Sequence, residues 1–118
     1  TALEFGRAGA RVVVTGRNEA RLHDTAQELA RLGITHLTVR ADVGVEDDAR
    51  RAVEAAVRQF GRLDVLINNA GISMRALFRD ADLEVIRRLM QTNFFGTVYT
   101  TKFALPYITE AKGSIVGI

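Results

Sequence analysis

The chain has 118 residues, a length that suits one domain, and its 47% hydrophobic and 25% charged content excludes a disordered segment. Its 16 basic and 14 acidic residues leave a net charge of +2, spread along the chain rather than gathered in a patch, which argues against a nucleic-acid surface. No apolar run is long enough to span a bilayer, no cysteine is present for a disulfide or thiolate site, and the isolated His23 and His36 form no metal-ligand cluster.

Helix and strand patterns alternate from the start. Ala2 to Gly9 reads as the tail of a helix closed by glycine. Arg11 to Thr15, with Val12, Val13 and Val14 in a row, predicts a buried strand. Asn18 caps the next helix, Leu22, Ala26 and Leu29 recur at helical spacing, and Gly33 stops it. His36 to Arg40 predicts a second strand. Glu46, Asp47 and Asp48 then place negative charge in a helical first turn, where the helix dipole favours it. Ala49, Ala52, Val53, Ala56, Val57 and Phe60 form the apolar stripe of that helix, and Gly61 ends it.

Asp64 to Ile67 predicts a third strand, followed by a loop from Gly71 to Ala81. Asp82 caps a long helix with Leu83, Ile86, Leu89 and Met90 on one face, and Pro106 should kink or end it. Gly113 closes the next turn, and Ser114 to Ile118 begins a fourth strand. Near-continuous apolar strands separated by helices require parallel pairing and right-handed crossovers. The expected architecture is therefore α/β, a three-layer, doubly wound parallel sheet of Rossmann type. Residues 1–118 make up one partial domain, incomplete at both ends.

In such sheets ligands lie just beyond the carboxyl ends of the strands. Three turns fall there. Asn68-Asn69-Ala70-Gly71 joins two short amides to two small residues, so the backbone can approach a flat ligand closely. Thr15-Gly16-Arg17-Asn18 has no acid at the place where an acid would bind the adenosine ribose hydroxyls of NAD. Gly16 leaves room and Arg17 supplies a planar cation able to hold a 2′-phosphate by two hydrogen bonds, which points to NADP. Asp42-Val43, ending the second strand, offers an acceptor for the adenine amino group. Asn93 shares the helical phase of Ile86, Leu89 and Met90. It is expected to face inward, where a buried amide needs a partner, and Gly96 permits close packing beside it.

Together these pieces resemble the short-chain dehydrogenase/reductase family. The resemblance rests on Gly9 to Arg17 (GARVVVTGR), Asp42-Val43, Gly61 to Gly71 (GRLDVLINNAG), Asn93-Phe94-Phe95-Gly96 and Gly113 to Val116 (GSIV), in the family's order. It implies adenine-ring contacts from Asp42 and Val43. It implies contacts to the nicotinamide-side ribose from Asn69, Ala70 and Gly71, with Asn68 steadying the central sheet. Asn93 takes the place of the Asn in the family's Asn-Ser-Tyr-Lys tetrad, its main-chain carbonyl holding a water of the proton relay. The family's glycine-rich phosphate turn falls before Thr1, its catalytic Ser falls just beyond Ile118, and its Tyr-x-x-x-Lys pair is absent. Tyr99-Thr100-Thr101-Lys102 has a shorter spacing and sits on the wrong helix.

The resemblance thus implies an internal fragment of an NADP-dependent oxidoreductase that moves hydride between nicotinamide and a small-molecule carbonyl or secondary alcohol. The fragment alone is expected to be inactive. The intact protein is expected to be cytoplasmic and homo-oligomeric, without a membrane segment. A non-catalytic dinucleotide-binding regulator of the same fold is the alternative.

Overall fold

A computed structural model describes residues 1–118. After a short helix α1 (Ala2–Arg7), the chain forms β1 (Val12–Gly16), α2 (Glu19–Arg31), β2 (His36–Arg40), α3 (Glu46–Phe60) and β3 (Val65–Asn68). A loop with one 3₁₀ turn (Phe78–Asp80) leads to α4 (Leu83–Leu89), a π-helical stretch (Met90–Phe95), α5 (Gly96–Ala111) and β4 (Ser114–Gly117). The helix starts reflect local chemistry. Asn18 accepts from the Arg21 N–H at 3.0 Å and Asp82 accepts from the Glu84 N–H at 2.8 Å, so each cap satisfies a donor that a helix start leaves free. Gly61 ends α3 in the left-handed conformation with φ of 77°.

All strand pairs are parallel. β1 pairs with β2 in the register Val12 to His36 through Gly16 to Arg40, and β3 pairs with β4 from Val65 to Ser114 through Asn68 to Gly117. Alternate residues of β1 serve opposite faces. Val12 and Val14 pack with Leu29 and Ile34 on the α2 side. Val13 and Leu37 pack around Val39, Ala41 and Ala52 on the α3 side. A strand buried on both faces cannot alternate apolar with polar residues, hence its unbroken β-branched run. A third cluster, Val53 with Ala104 and Ile108, joins α3 to α5. Helices on both faces of parallel strands give the three-layer, Rossmann-type α/β fold.

The sheet is in two halves. One half-sheet is β2-β1 and the other β3-β4, with no ladder between β1 and β3. Both strands wall a slot of about 670 Å³, to which Ala52, Val53 and Ala56 of α3 also contribute. The Cα radius of gyration is 15.2 Å, against about 13.5 Å for a fully packed domain of this length. The crossover helices change face between β1 and β3, α2 on one side and α3 on the other, and doubly wound sheets bind their ligands outside the carboxyl ends of the strands at such a point.

Pro106 does not end the helix; α5 runs through it to Ala111. Ala104 and Ile108, 0% and 4% exposed, anchor the helix on either side of the proline, and this packing outweighs the missing N–H. The left-handed residue before β4 is Lys112, with φ of 53°, and Gly113 follows it at the entry to the strand. No helix is long and apolar enough to cross a membrane.

Candidate dinucleotide-binding site

The carboxyl ends of β1, β2 and β3 bring three turns around one cavity of about 760 Å³. Gly16 and Arg17, Asp42 and Val43, and Ala70 and Gly71 all line it. Asn68 and Asn69 line the neighbouring slot, and Val14, Thr15, Val43 and Ala70 wall both. Asn68 is engaged in support: its amide nitrogen donates to Thr101 Oγ1 at 3.0 Å, tying β3 to α5.

The turn after β2 is preset by its own hydrogen bonds. The Gly44 N–H donates to Asp42 Oδ1 at 2.9 Å and the Val45 N–H to the Asp42 carbonyl at 2.9 Å. The Asp42 N–H donates to Asp48 Oδ2 at 2.9 Å. One Asp42 carboxylate oxygen, Oδ2, is left to accept from a ligand. Asp48 is legible in the sequence only as helix-start charge; its second role as an acceptor is set by the fold. The Asp42 N–H bond holds the Asp48 carboxyl below its ordinary value of 3.8. Burial opposes the shift, and the hydrogen bond and charge of Arg51 assist it. A depressed folded pKa contributes stability that is complete above 3.8 and lost as pH falls through the lower folded value. The wild type should therefore be more stable than Asp48→Asn at neutral pH, and the gap should close as the solution is acidified below that value. Urea unfolding across pH reads this directly, and a gap independent of pH would sink the assignment.

Arg17 and Arg21 both line the cavity. Neither has an acidic partner, whereas Arg40 close by is held 3.7 Å from Glu19. Two unneutralised guanidinium groups at one end of a crevice favour an anion there. Arg21 is not marked by its sequence context because, on a helix of mixed charge, it reads as solvated surface.

Asn93 departs from expectation. It does not face the core; it is exposed, as is Met90. Met90 only opens the π-helical stretch, so the stretch bears on Asn93 alone. One extra residue in a turn rotates the downstream residues by roughly 100°, so extrapolation from Ile86 and Leu89 at 3.6 residues per turn misplaces it. Its amide nonetheless has two partners. The Ile72 N–H donates to Asn93 Oδ1 and Asn93 Nδ2 donates to the Ile72 carbonyl, both at 2.8 Å. Asn93 thereby fixes the backbone just beyond Gly71, where a Cβ would lie 3.2 Å from Asn93 Oδ1. The Asn93 carbonyl accepts from Thr97 Oγ1 at 3.1 Å. Tyr99 lies away from these groups on α5, its ring 5.9 Å from that of Phe95.

Parallel strands with helices on both faces, small-residue turns gathered at their carboxyl ends and free guanidinium groups beside them define a Rossmann-type protein. The family described as short chain dehydrogenase matches residues 1–118, and the chain belongs to it. Members of this family bind a nicotinamide cofactor. The chain is 41% identical over 117 residues to 11-beta-hydroxysteroid dehydrogenase A of Arachis hypogaea, covering 98% of this chain and 34% of that protein. It is 39% identical over 120 residues to the uncharacterized oxidoreductase YxnA of Bacillus subtilis, covering 100% of this chain and 34% of that protein. It therefore spans about a third of the length of the curated relatives it matches. Among solved structures, a 3-ketoacyl-ACP reductase from Sinorhizobium meliloti superposes with a TM-score of 0.92 at 30% identity, covering 98% of this chain and 46% of that one. A Caenorhabditis elegans short-chain dehydrogenase/reductase of unknown function, crystallised with cofactor, gives 0.90 at 32% identity, covering 98% and 45%.

Proposed function

We propose that the protein containing this chain is an NADP-dependent oxidoreductase that moves hydride between the nicotinamide and a small-molecule carbonyl or secondary alcohol. One observation carries the cofactor choice. Arg17, just past β1, and Arg21, in the first turn of α2, both sit unpaired at the cavity, and no acid stands in the Thr15-Gly16-Arg17-Asn18 turn to receive a free 2′-hydroxyl. When bound, the cofactor supplies the hydride.

The chain's own residues bind and orient it. Arg17, with Arg21, holds the 2′-phosphate. Asp42 Oδ2 accepts from the adenine amino group beside Val43. Asn69, Ala70 and Gly71 offer main chain to the nicotinamide-side ribose, and the Asn93 carbonyl orients a water for proton transfer. The substrate class is drawn from the printed names of the relatives, a hydroxysteroid dehydrogenase and a ketoacyl reductase, both of which name a hydroxyl or ketone as the reacting group. The exposed Phe94 and Phe95 of the π-helical stretch, with Val98 of α5, supply an apolar face for a second copy of the protein.

The test is cofactor titration of the intact protein. Arg17→Asp should weaken NADP about 10- to 100-fold, the range for charge-assisted hydrogen bonds, and change NAD affinity little. Equal losses for both cofactors would refute the 2′-phosphate assignment. Cofactor binding without turnover of any ketone or alcohol would assign the protein to the non-catalytic regulators.

A further inference from the structure

The π-helical stretch Met90–Phe95 touches both ends of the crevice. Asn93 pairs with Ile72, beyond the turn after β3. Two residues earlier, Gln91 Nε2 donates to the Gly44 carbonyl at 2.6 Å, reaching the turn after β2. That turn is fitted closely to the same stretch. A Cβ on Gly44 would lie 3.1 Å from the Gln91 carbonyl oxygen, and a Cβ on Gly96 would lie 2.8 Å from Val43 Cγ2. The turn carrying Asp42 and Val43 therefore rests on the helix carrying Asn93 with no slack at either glycine. Gln91 is the one side chain that links the two by a hydrogen bond.

We propose that Gln91 is a positioning residue that couples occupancy of the adenine end of the crevice to the placement of Asn93. The proposal deepens the cofactor reading and rests on it. The adenine half of the cofactor takes no part in hydride transfer. Its binding accelerates the reaction only if that interaction is transmitted to the reacting end. Gln91 and Asn93 lie two residues apart on one helical stretch. Fixing the Gly44 carbonyl against Gln91 fixes the helix at Asn93, and Asn93 in turn fixes Ile72.

The test uses the intact protein, Gln91→Leu and Gln91→Glu. Leucine removes the donor at similar size, and glutamate keeps the shape while aiming an acceptor at the Gly44 carbonyl. With NADPH, both variants should lose about tenfold in kcat, the equivalent of one hydrogen bond. With reduced nicotinamide mononucleotide, which lacks the adenosine half, they should match the wild type. An equal loss with both cofactors, or no loss with either, overturns the coupling, because a merely structural glutamine does not distinguish the two.

A second readout is independent of turnover. Adenosine 2′,5′-bisphosphate should slow amide hydrogen exchange at Ile72 in the wild type and leave it unchanged in Gln91→Leu. Failure of this compound to bind the wild type overturns the cofactor assignment itself. Binding that leaves Ile72 exchange unaltered overturns only the role of Gln91.

Discussion

In the intact protein, Asn93→Ala should lower kcat about a hundredfold, the scale of a lost proton-transfer group, with cofactor affinity changed far less. The substitution leaves a main-chain carbonyl at position 93 but removes both 2.8 Å bonds to Ile72. The loop beyond Gly71 loses its anchor, and the carbonyl proposed to orient the relay water loses its fixed relation to the crevice. The proposed adenine-end contacts from Arg17, Asp42 and Val43 reach this pair only through Gln91, so they should retain most of the binding energy. Steady-state kinetics with parallel fluorescence titration of the cofactor separate the two quantities. Turnover that survives intact would leave Asn93 as a loop fastener and nothing more.

The largest loss of stability should come from Gly113→Ala. A Cβ at this position would lie 1.9 Å from the Asp64 carbonyl oxygen and 2.8 Å from the Asp64 carbonyl carbon. Both atoms are backbone, so no side chain can rotate away. The nearby Ser114 N–H to Asp64 carbonyl bond at 2.9 Å, which starts the β3–β4 pairing, has to open. We expect about 3 kcal/mol or more of destabilisation, the upper range for overpacking, seen as a lower urea midpoint. Gly61→Ala is the informative control. Its φ of 77° strains any side chain, but nothing lies within 4 Å of the added carbon. That variant should lose only about 1 kcal/mol. Comparable losses at the two positions would show that steric approach at Gly113 is relieved by local movement.

Much of the fold is legible because its signals are local. The valine run of β1, the caps at Asn18 and Asp82 and the left-handed Gly61 each act within a few residues. The three turns around the cavity are legible for the same reason, since strand ends define where they must lie. The remainder depends on contacts distant in sequence. Gln91 reaches Gly44 across 47 positions, and Asn93 reaches Ile72 across 21. Asp48 is a nearer case: it looks like ordinary helix-start charge, yet its carboxylate accepts from the Asp42 N–H only 6 positions back. Pro106 misleads because local stereochemistry favours a break there, while the burial of Ala104 and Ile108 decides the outcome. The π-helical stretch carries no composition that distinguishes it from an α-helix, so a strict 3.6-residue period turns Asn93 the wrong way.

That stretch also decides how this helix tolerates changes in length. The apolar contacts of α5 with α3, through Ala104 and Ile108 against Val53, lie downstream of the widened turn. Deleting one residue between Met90 and Phe95 would restore ordinary winding and swing everything beyond it by roughly a quarter of a revolution. Ala104 and Ile108 would then leave their seats on α3. Substitutions inside the six-residue stretch leave the face of α5 in register, whereas an insertion or deletion there would re-index all of it.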